Sequence, residues 1–192
     1  MIHYNNFSEP KHTFHMITFR RIFSPTDSYY SQMTTLYESS FLYEQRRELH
    51  QLKHEMLTSK HFYVHALLAD SEFVGFINYW QFHTFCFVEH FAITPQLRGK
   101  KLGSKVLSKL KDTVTSSIVF EVDTPTSDVA ARRIEFYERA GFHIIPNDYL
   151  QPPYRPSDIP FPLLIMTDNQ HFVSKHFDSI KKTIYKEVYH YE

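Results

Sequence analysis

Hydrophobic and polar residues form short alternating runs along the chain, interspersed with longer amphipathic ones. Runs rich in aromatic and β-branched residues predict strands, whereas apolar residues three and four positions apart predict helices. The predicted strands are 16–21, 61–69, 73–82, 85–93, 117–122, 142–145 and 163–167. The predicted helices are 28–41, 44–57, 102–113 and 128–139. Strands that first pair as a meander and are then separated by helices indicate a mixed α/β sheet.

The last part of the chain has a helical pattern of its own. Apolar side chains recur near helical spacing, and lysine and glutamate lie between them. These apolar residues are Phe172, Phe177, Ile180, Ile184 and Val188. This pattern predicts an amphipathic C-terminal helix over 170–191, whose apolar face needs a surface on its own domain or on a second subunit. We therefore expect an N-terminal extension (1–15), a main domain (16–168) and a C-terminal helical extension (169–192), with a homodimer as an open alternative.

Length and composition narrow the class of protein. The chain of 192 residues is long enough for one domain with a substantial core. Its 21 basic and 21 acidic residues cancel, so no overall charge favours nucleic acid or an anionic membrane as a partner. The single cysteine, Cys86, excludes an internal disulfide and fits a reducing compartment. Neither a signal peptide nor a membrane span is apparent, so we expect a cytoplasmic protein.

The most informative segment lies between the strand ending at Ile93 and the helix beginning near Leu102. A short basic turn joins the two, so free backbone N–H groups and the positive end of a helix dipole point at one place, which suits a phosphate or pyrophosphate. Gly99 and Gly103 leave room for the backbone to approach a ligand closely. An ordinary strand-to-helix turn is the alternative for this segment alone.

A second segment, 131–142, predicts a helix closed by Gly141 and followed by a strand that begins at Phe142. Taken together, the two segments resemble the GCN5-related N-acetyltransferase (GNAT) family. The run Tyr-Leu-Gln-Pro-Pro-Tyr-Arg at 149–155 resembles a feature of a bacterial subgroup of this family whose substrate is unknown. In this family an Arg/Gln-x-x-Gly-x-Gly/Ala loop holds the pyrophosphate of acetyl-CoA. A later helix of the family ends in a Phe-Tyr…Gly-Phe signature.

The loop of this chain follows the family pattern with one departure. Arg98 and Gly103 match it, and Gly99 agrees with the common Arg-Gly start of the loop. Lys101 occupies the position where the family usually has glycine. A backbone amide can still donate from lysine, but only if the φ of the lysine is negative.

The resemblance implies a fold and a position for acetyl-CoA. The element order would be βααβββαβαββ, with helices on both faces of a sheet that splays between strands 85–93 and 117–122. The pantetheine arm would lie in the splay and pair with the backbone of Phe91, Ala92 and Ile93, next to a bulge. The loop from Arg98 to Ser104 would bind the pyrophosphate, and Lys100 or Lys101 would reach the 3′-phosphate.

The resemblance also implies acetyl transfer, which needs a neutral amine, whereas a free alkyl amine is mostly charged at neutral pH. Neutralising it costs roughly 4–5 kcal/mol, so a carboxylate near the splay would help as a general base. Glu89 is the first candidate and Glu121 on the neighbouring strand is the second; alternatively, Glu89 binds only arginine or backbone groups beneath the site. Strand alternation predicts that His90 points to the opposite face from Glu89 and serves in packing.

Tyr137 falls on the tyrosine of the Phe-Tyr…Gly-Phe signature. The resemblance implies that its phenol approaches the sulfur of CoA and donates a proton to the departing thiolate. The alternative is an aromatic side chain of the core, a role that Phe136 could equally fill.

No metal site is predicted. His50 and His54 are four residues apart on a helix, but the segment lacks the glutamate of a His-Glu-x-x-His site and a third ligand. A long loop over 146–162 would border the acceptor side, with Tyr149 and Tyr154 lining it. We therefore expect a metal-free, acetyl-CoA-dependent N-acetyltransferase acting on a small-molecule, protein or peptide amine. The alternative is a non-catalytic acyl-CoA-binding or protein-interaction module on the same fold. The identity of the acceptor and the acyl-chain length stay open.

Overall fold

The computed structural model describes residues 16–191, so the predicted N-terminal extension 1–15 lies outside the described residues. The strands are β1 Ile17–Arg21, β2 Phe62–Ala69, β3 Glu72–Gln81, β4 Phe85–Ile93, β5 Ser117–Asp123, β6 His143–Gln151 and β7 Phe161–Thr167. The helices are α1 Tyr30–Ser40, α2 Leu49–Thr58, α3 Leu102–Thr113, α4 Asp128–Arg139, α5 Gln170–Lys175 and α6 Phe177–Thr183. Short 3₁₀ turns occupy Tyr43–Gln45 and Pro95–Leu97, and a π-helical turn occupies Ile184–Val188. The predicted order βααβββαβαββ is confirmed up to β7.

The strands form one mixed sheet of seven strands in the order β1-β2-β3-β4-β5-β7-β6. Only the central β4–β5 pair is parallel among the described strands, because α3 crosses over between them. All other neighbouring pairs are antiparallel. Short turns join the consecutive strands β2, β3 and β4. The predicted mixed α/β sheet is therefore confirmed.

Two hydrophobic cores cover the two faces of the sheet. One core packs α1, α2, α5, α6 and the π-helical turn on the sheet, and we call this side the α1 face. The other core packs α3 and α4 on the sheet, and we call this side the α3 face. Alternation along β4 divides its side chains accordingly, with Phe85 and Phe87 on the α1 face and Cys86 and Val88 on the α3 face.

The β4–β5 pair is splayed at the centre of the sheet. Its pairing runs from Phe85 opposite Ser117 to Val88 opposite Phe120 and ends there. Beyond this point β4 continues to pair with β3, and β5 continues to pair with β7. The next residues along the two strands are Glu89 and Glu121, so the gap begins at two acids.

A β-bulge in β4 changes the direction of its side chains at the splay. The register against β3 shifts between Asn78 and Tyr79, where β4 contributes one extra residue, Glu89. The expectation that His90 points to the opposite face from Glu89 is therefore wrong, because the bulge interrupts the alternation. His90 is buried on the α1 face against the rings of Tyr37 and Phe41, which agrees with the expected packing role.

The first departure from the predicted elements lies between α1 and α2. Helix α2 begins at Leu49 rather than at residue 44, because Tyr43–Gln45 form a 3₁₀ turn and the backbone at Arg46 and Glu48 is extended. There the Arg155 guanidinium donates to the carbonyls of Tyr43 and Arg46, at 2.5 and 3.1 Å.

A second departure concerns β6, which does not end before Pro146. Residues 146–148 form an irregularity, and pairing with β7 resumes at Tyr149. The predicted loop 146–162 therefore shrinks to the segment between Gln151 and Phe161.

The C-terminal extension is not one continuous helix. It breaks at His176 into α5 and α6 and then ends in the π-helical turn. Its apolar residues belong to the core of its own domain, including Val173, Ile180 and Ile184, and this answers the question of which surface it covers. None of the helices in residues 16–191 is long and apolar enough to cross a membrane.

Candidate active site

The splay leads into a cleft of about 760 Å³ between the two central strands. Backbone and side chains of β4, the loop that precedes α3, the first turn of α3, β5 and α4 line it. The cleft contains all but one of the predicted site residues: Glu89, Phe91, Ala92, Ile93, Arg98, Gly99, Lys101, Gly103, Ser104 and Tyr137. Lys100 is exposed and does not line the cleft.

The loop before α3 has the backbone conformation of a tight turn. Gly99 has a φ of 77° and Lys101 a φ of 60°, both in the left-handed region. The negative φ set as the condition for donation by the Lys101 amide is therefore not met, because the lysine takes a backbone conformation that a glycine adopts without cost. A non-glycine residue in this region costs about 1–2 kcal/mol.

The start of α3 and the strand before it leave polar backbone groups facing the cleft. Helix α3 begins at Leu102 with no side-chain cap, so its first N–H groups are available to a ligand. A Cβ atom on Gly103 would approach Phe136 Cζ at 3.0 Å, so any larger residue would crowd this wall of the cleft. Past the bulge β4 pairs with β3 only, so its opposite edge, from Phe91 to Ile93, faces the gap.

Tyr137 lies on α4, at the wall of the cleft on the α3 face. Its half-buried ring packs against Phe120 of β5 and Phe136, with ring centroids 4.5 and 5.1 Å away. Burial raises the pKa of the Tyr137 phenol above its usual value of 10.0, with Asp123 adding to the rise and Arg133 opposing it. The phenol is therefore protonated at neutral pH. It has the state that a proton donor needs.

Glu89 is held on the α1 face by three donors. The Arg47 Nε–H and the Tyr154 hydroxyl each donate to its Oε1 at 2.9 Å, and the Trp80 Nε1–H donates to its Oε2 at 2.7 Å. Its side chain is 1 % exposed, so the surface that this residue presents to the cleft is mainly backbone. Burial alone would raise the pKa of the carboxyl, but Arg47, His90 and the hydrogen bonds hold it below its usual value.

Glu121 has different surroundings on the same face. The hydroxyls of Tyr149 and Tyr189 donate to its two oxygens, the latter at 2.6 Å. Burial raises the pKa of its carboxyl to about 7; the two hydroxyls oppose this rise and the nearby Glu89 adds to it. Two neighbouring carboxyls thus have pKa values displaced in opposite directions, a pattern typical of groups with separate roles in acid–base chemistry.

The structure also corrects the expected role of two tyrosines and identifies residues that the sequence did not. Tyr149 and Tyr154 are buried behind Glu121 and Glu89 and do not line the cleft. Arg47 and Tyr189 were not singled out from the sequence. Both reach the acids through contacts more than 40 positions apart in the chain, and no local pattern indicates such contacts.

No group of His, Cys, Asp or Glu that could hold a metal ion occurs within residues 16–191. The exposed His50 contacts Glu48 instead, with Nδ1 3.1 Å from the carboxylate. Cys86 is buried and unpaired, and burial raises the pKa of its thiol above the ordinary range, so it is not a ready nucleophile.

A splayed mixed sheet with an anion-suited loop at the gap defines an acyltransferase fold. The model of the acetyltransferase (GNAT) family matches residues 28–142, and the chain belongs to this family. No curated protein sequence matches the chain.

Among solved structures, a GNAT-family acetyltransferase from Bacteroides thetaiotaomicron shares 34% of its sequence with this chain, with a TM-score of 0.87. The match covers 91% of this chain and 99% of that protein.

More distant structures share the fold. An aminoglycoside 6′-N-acetyltransferase in complex with coenzyme A is 17% identical with a TM-score of 0.55, covering 80% of this chain and 96% of its own. Arabidopsis thaliana Naa50 in complex with the bisubstrate analogue CoA-Ac-MVNAL is 15% identical with a TM-score of 0.55, covering 80% and 98%. The chain is therefore an enzyme of the GNAT acetyltransferase class.

Proposed function

We propose that this protein is an acetyl-CoA-dependent N-acetyltransferase that transfers the acetyl group directly to a bound amine. The observation that carries the proposal is the cleft of about 760 Å³, which joins the loop before α3 to two buried carboxyls and one phenol. In this proposal the protein works without a metal and in the cytoplasm. The acceptor is a small-molecule amine or a peptide amine.

The loop before α3 fits the charged end of acetyl-CoA. Its backbone N–H groups and the positive end of the α3 dipole would bind the pyrophosphate, with Arg98, Gly99, Gly103 and Ser104 at the contact. Gly103 keeps this wall open, because a side chain there would meet Phe136. Lys101, or the more distant Lys100, would contact the 3′-phosphate.

The open edge of β4 fits the extended arm of the same molecule. The backbone N–H and C=O groups of Phe91, Ala92 and Ile93 would hydrogen-bond the pantetheine amides as an added strand. When bound, acetyl-CoA supplies its acetyl group as a thioester, whose C–S bond breaks as the new C–N bond forms.

Tyr137 and the two acids divide the proton transfers between the faces of the sheet. Tyr137 holds a proton on the α3 face for the leaving sulfur. Glu121 takes the base role in this proposal, because a carboxyl whose pKa is raised to about 7 is suited to accept a proton near neutral pH. Glu89 remains a candidate from the sequence, but its ion pair with Arg47 favours a structural role.

One observation favours the alternative of a non-catalytic acyl-CoA-binding module, namely Lys101 in place of the family glycine. The two proposals differ in turnover. An enzyme acetylates at least one amine, whereas a binding module holds acyl-CoA and releases no thiol with any amine.

The test compares wild type with Tyr137→Phe, using acetyl-CoA, primary alkylamines, an aminoglycoside and short peptides, with release of free thiol as readout. We expect the variant to lower kcat by roughly 10²–10⁴-fold and to bind CoA as tightly as wild type. Tyr79→Phe is the matched control, because Tyr79 belongs to the same core but does not line the cleft. Thiol release that is equal in wild type and Tyr137→Phe would remove Tyr137 from the mechanism. Absence of turnover in wild type with every amine would favour the binding module.

A further inference from the structure

The chain ends in a turn of unusual geometry at the edge of the active site. We call residues 184–191 the C-terminal turn. It begins as a π-helical turn in which the N–H of Tyr189 donates to the carbonyl of Ile184, five residues earlier, at 3.2 Å. In this π-helical turn the consecutive side chains of Val188 and Tyr189 both point into the core, and both are buried. Such π-helical turns are rare and are often found at functional sites.

Among the contacts of the C-terminal turn, three reach ionisable side chains of other elements, namely Arg47, Glu55 and Glu121. The Arg47 guanidinium, which holds Glu89, also donates to the carbonyl of Val188. His190 has a left-handed φ of 53°, and its Nε2 lies 2.8 Å from the carboxylate of the buried Glu55. The third contact is the hydroxyl of Tyr189, which donates to Glu121 at 2.6 Å. The turn is thus connected to both acids at the start of the gap.

Glu121 receives hydrogen bonds from two elements that belong to different parts of the chain. Tyr149 lies in β6, and Tyr189 lies in the C-terminal turn. The other titratable groups facing it are Glu89 on β4, Tyr154 on the β6–β7 connection and Tyr185 in the turn. None of these groups is a cation. Within residues 16–191, Glu121 therefore has no ion pair of the kind that Glu89 forms with Arg47.

The position of Glu121 fits a role in chemistry. It is the first residue of β5 beyond the last β4–β5 pair and lines the cleft. Its neighbour Phe120 packs against Tyr137 on the opposite face of the sheet, so the carboxyl and the phenol approach the gap from opposite faces.

We propose that the C-terminal turn is part of the active site. Tyr189 of this turn and Tyr149 of β6 act as positioning residues. Together they hold the Glu121 carboxyl at the gap, where it accepts a proton from the acceptor amine. This inference rests on the proposed function and assigns a role to a segment beyond the family match, which ends at residue 142.

The proton step is balanced within the site. The Glu121 carboxylate takes one proton from the acceptor ammonium, which leaves a neutral amine with a free lone pair and a neutral carboxylic acid. The acid later releases that proton to water. The two tyrosine hydroxyls stay protonated throughout and donate to the carboxylate, which stabilises its charged form.

The first experiment measures the titration of Glu121 without any acceptor. The whole chain, labelled with ¹³C at the glutamate side-chain carboxyl, is titrated by NMR, and the Glu121 resonance is assigned by its loss in Glu121→Gln. We expect Tyr189→Phe and Tyr149→Phe each to move the Glu121 midpoint upward by about one pH unit, because each removes a donor to the charged form. Tyr43→Phe is the matched control, since Tyr43 donates to Glu48 at 2.6 Å on the exposed surface.

The second experiment measures kcat/KM against pH for the same variants, using the amine with the highest turnover in the wild-type panel. We expect the acidic limb to move upward with the NMR midpoint in Tyr189→Phe and Tyr149→Phe, and to stay in place in Tyr43→Phe. An unchanged Glu121 midpoint in both folded variants would overturn the inference, whether or not the enzyme turns over an amine. A shifted midpoint with an unchanged acidic limb would also overturn it, because Glu121 would then not be the base.

Discussion

Glu89 and Glu121 are neighbours across the splay, yet they have opposite electrostatic surroundings. Glu89 is paired with Arg47, and Glu121 is bound by two neutral phenols. The Arg47 pair stabilises a charged carboxylate on Glu89, whereas burial without a cation favours the neutral form of Glu121. A carboxyl of the second kind costs stability when it is ionised, which is a common property of residues retained for activity.

Because ionised Glu121 lowers stability, the effect of Glu121→Gln on the free energy of unfolding should depend on pH. The folded-state pKa is raised to about 7 from a usual value of 4.5. Between these values the folded state keeps a proton that the unfolded chain has released, so the free energy of unfolding falls as pH rises through this window. Glutamine stays neutral and removes this fall. We expect Glu121→Gln to be more stable than wild type at about pH 8 by up to about 3 kcal/mol, relative to their difference at about pH 4.5.

Urea unfolding at the two pH values measures this effect. Glu138→Gln is the control, because Glu138 is exposed on α4. A stability difference between wild type and Glu121→Gln that is the same at both pH values would show that the Glu121 carboxyl is not neutral in the folded protein. Loss of turnover together with the gain in stability would fit a base retained for activity.

Among the elements, those defined by local pattern were predicted most closely. The bounds of β4, α3 and α4 agree with the prediction at both ends, because each has a regular apolar period and a clear start or stop. Cap residues support this, since the Ser127 hydroxyl accepts the N–H of Ala130 and Gly141 follows the end of α4 with a φ of 77°.

Elements determined by distant contacts were predicted less well. Segment 42–48 has no helix breaker, but it does not join α2. Arg155 donates to two of its carbonyls and Arg47 pairs with Glu89, so the segment forms only a 3₁₀ turn followed by extended backbone. The bulge at Glu89 likewise depends on how β4 meets β3. For the same reason the family motifs indicated the residues that line the cleft, including Tyr137, but they did not reveal the contacts of Arg47 with Glu89 and of Tyr189 with Glu121.

The Arg47–Glu89 pair joins segment 42–48 to β4, and we expect a large loss of stability when it is broken. Both side chains are buried, with 3% and 1% exposure. Arg47→Ala leaves a buried carboxylate without its partner and should lower the free energy of unfolding by about 3–5 kcal/mol. The double variant Arg47→Ala/Glu89→Gln should recover part of this loss, because no uncompensated charge remains.

Denaturant unfolding of the two single variants and the double variant measures the coupling. Arg139→Ala is the matched control, because Arg139 forms an exposed pair with Glu135 at 3.5 Å and should change stability by less than about 1 kcal/mol. Additive losses in the double variant would contradict a coupled, buried pair.

At the scale of the whole molecule, the sheet separates two groups of residues that meet only at the splay. The α3 face carries the loop before α3 and the Tyr137 phenol, and the α1 face carries the two acids and the C-terminal turn. Opening the central strand pair connects the two faces through one cleft. This arrangement is suited to a reaction in which two substrates approach from opposite sides of a sheet.

The central claim is that the cleft binds acetyl-CoA, and isothermal titration of the whole protein with acetyl-CoA and with CoA tests it most directly. We predict micromolar binding by wild type and by Lys60→Glu, an exposed charge change outside the cleft. We predict no binding by Gly103→Glu, confirmed as folded by circular dichroism, because its side chain would meet Phe136 and repel the phosphates. Absence of binding by wild type, or equal binding by Gly103→Glu, would contradict the account.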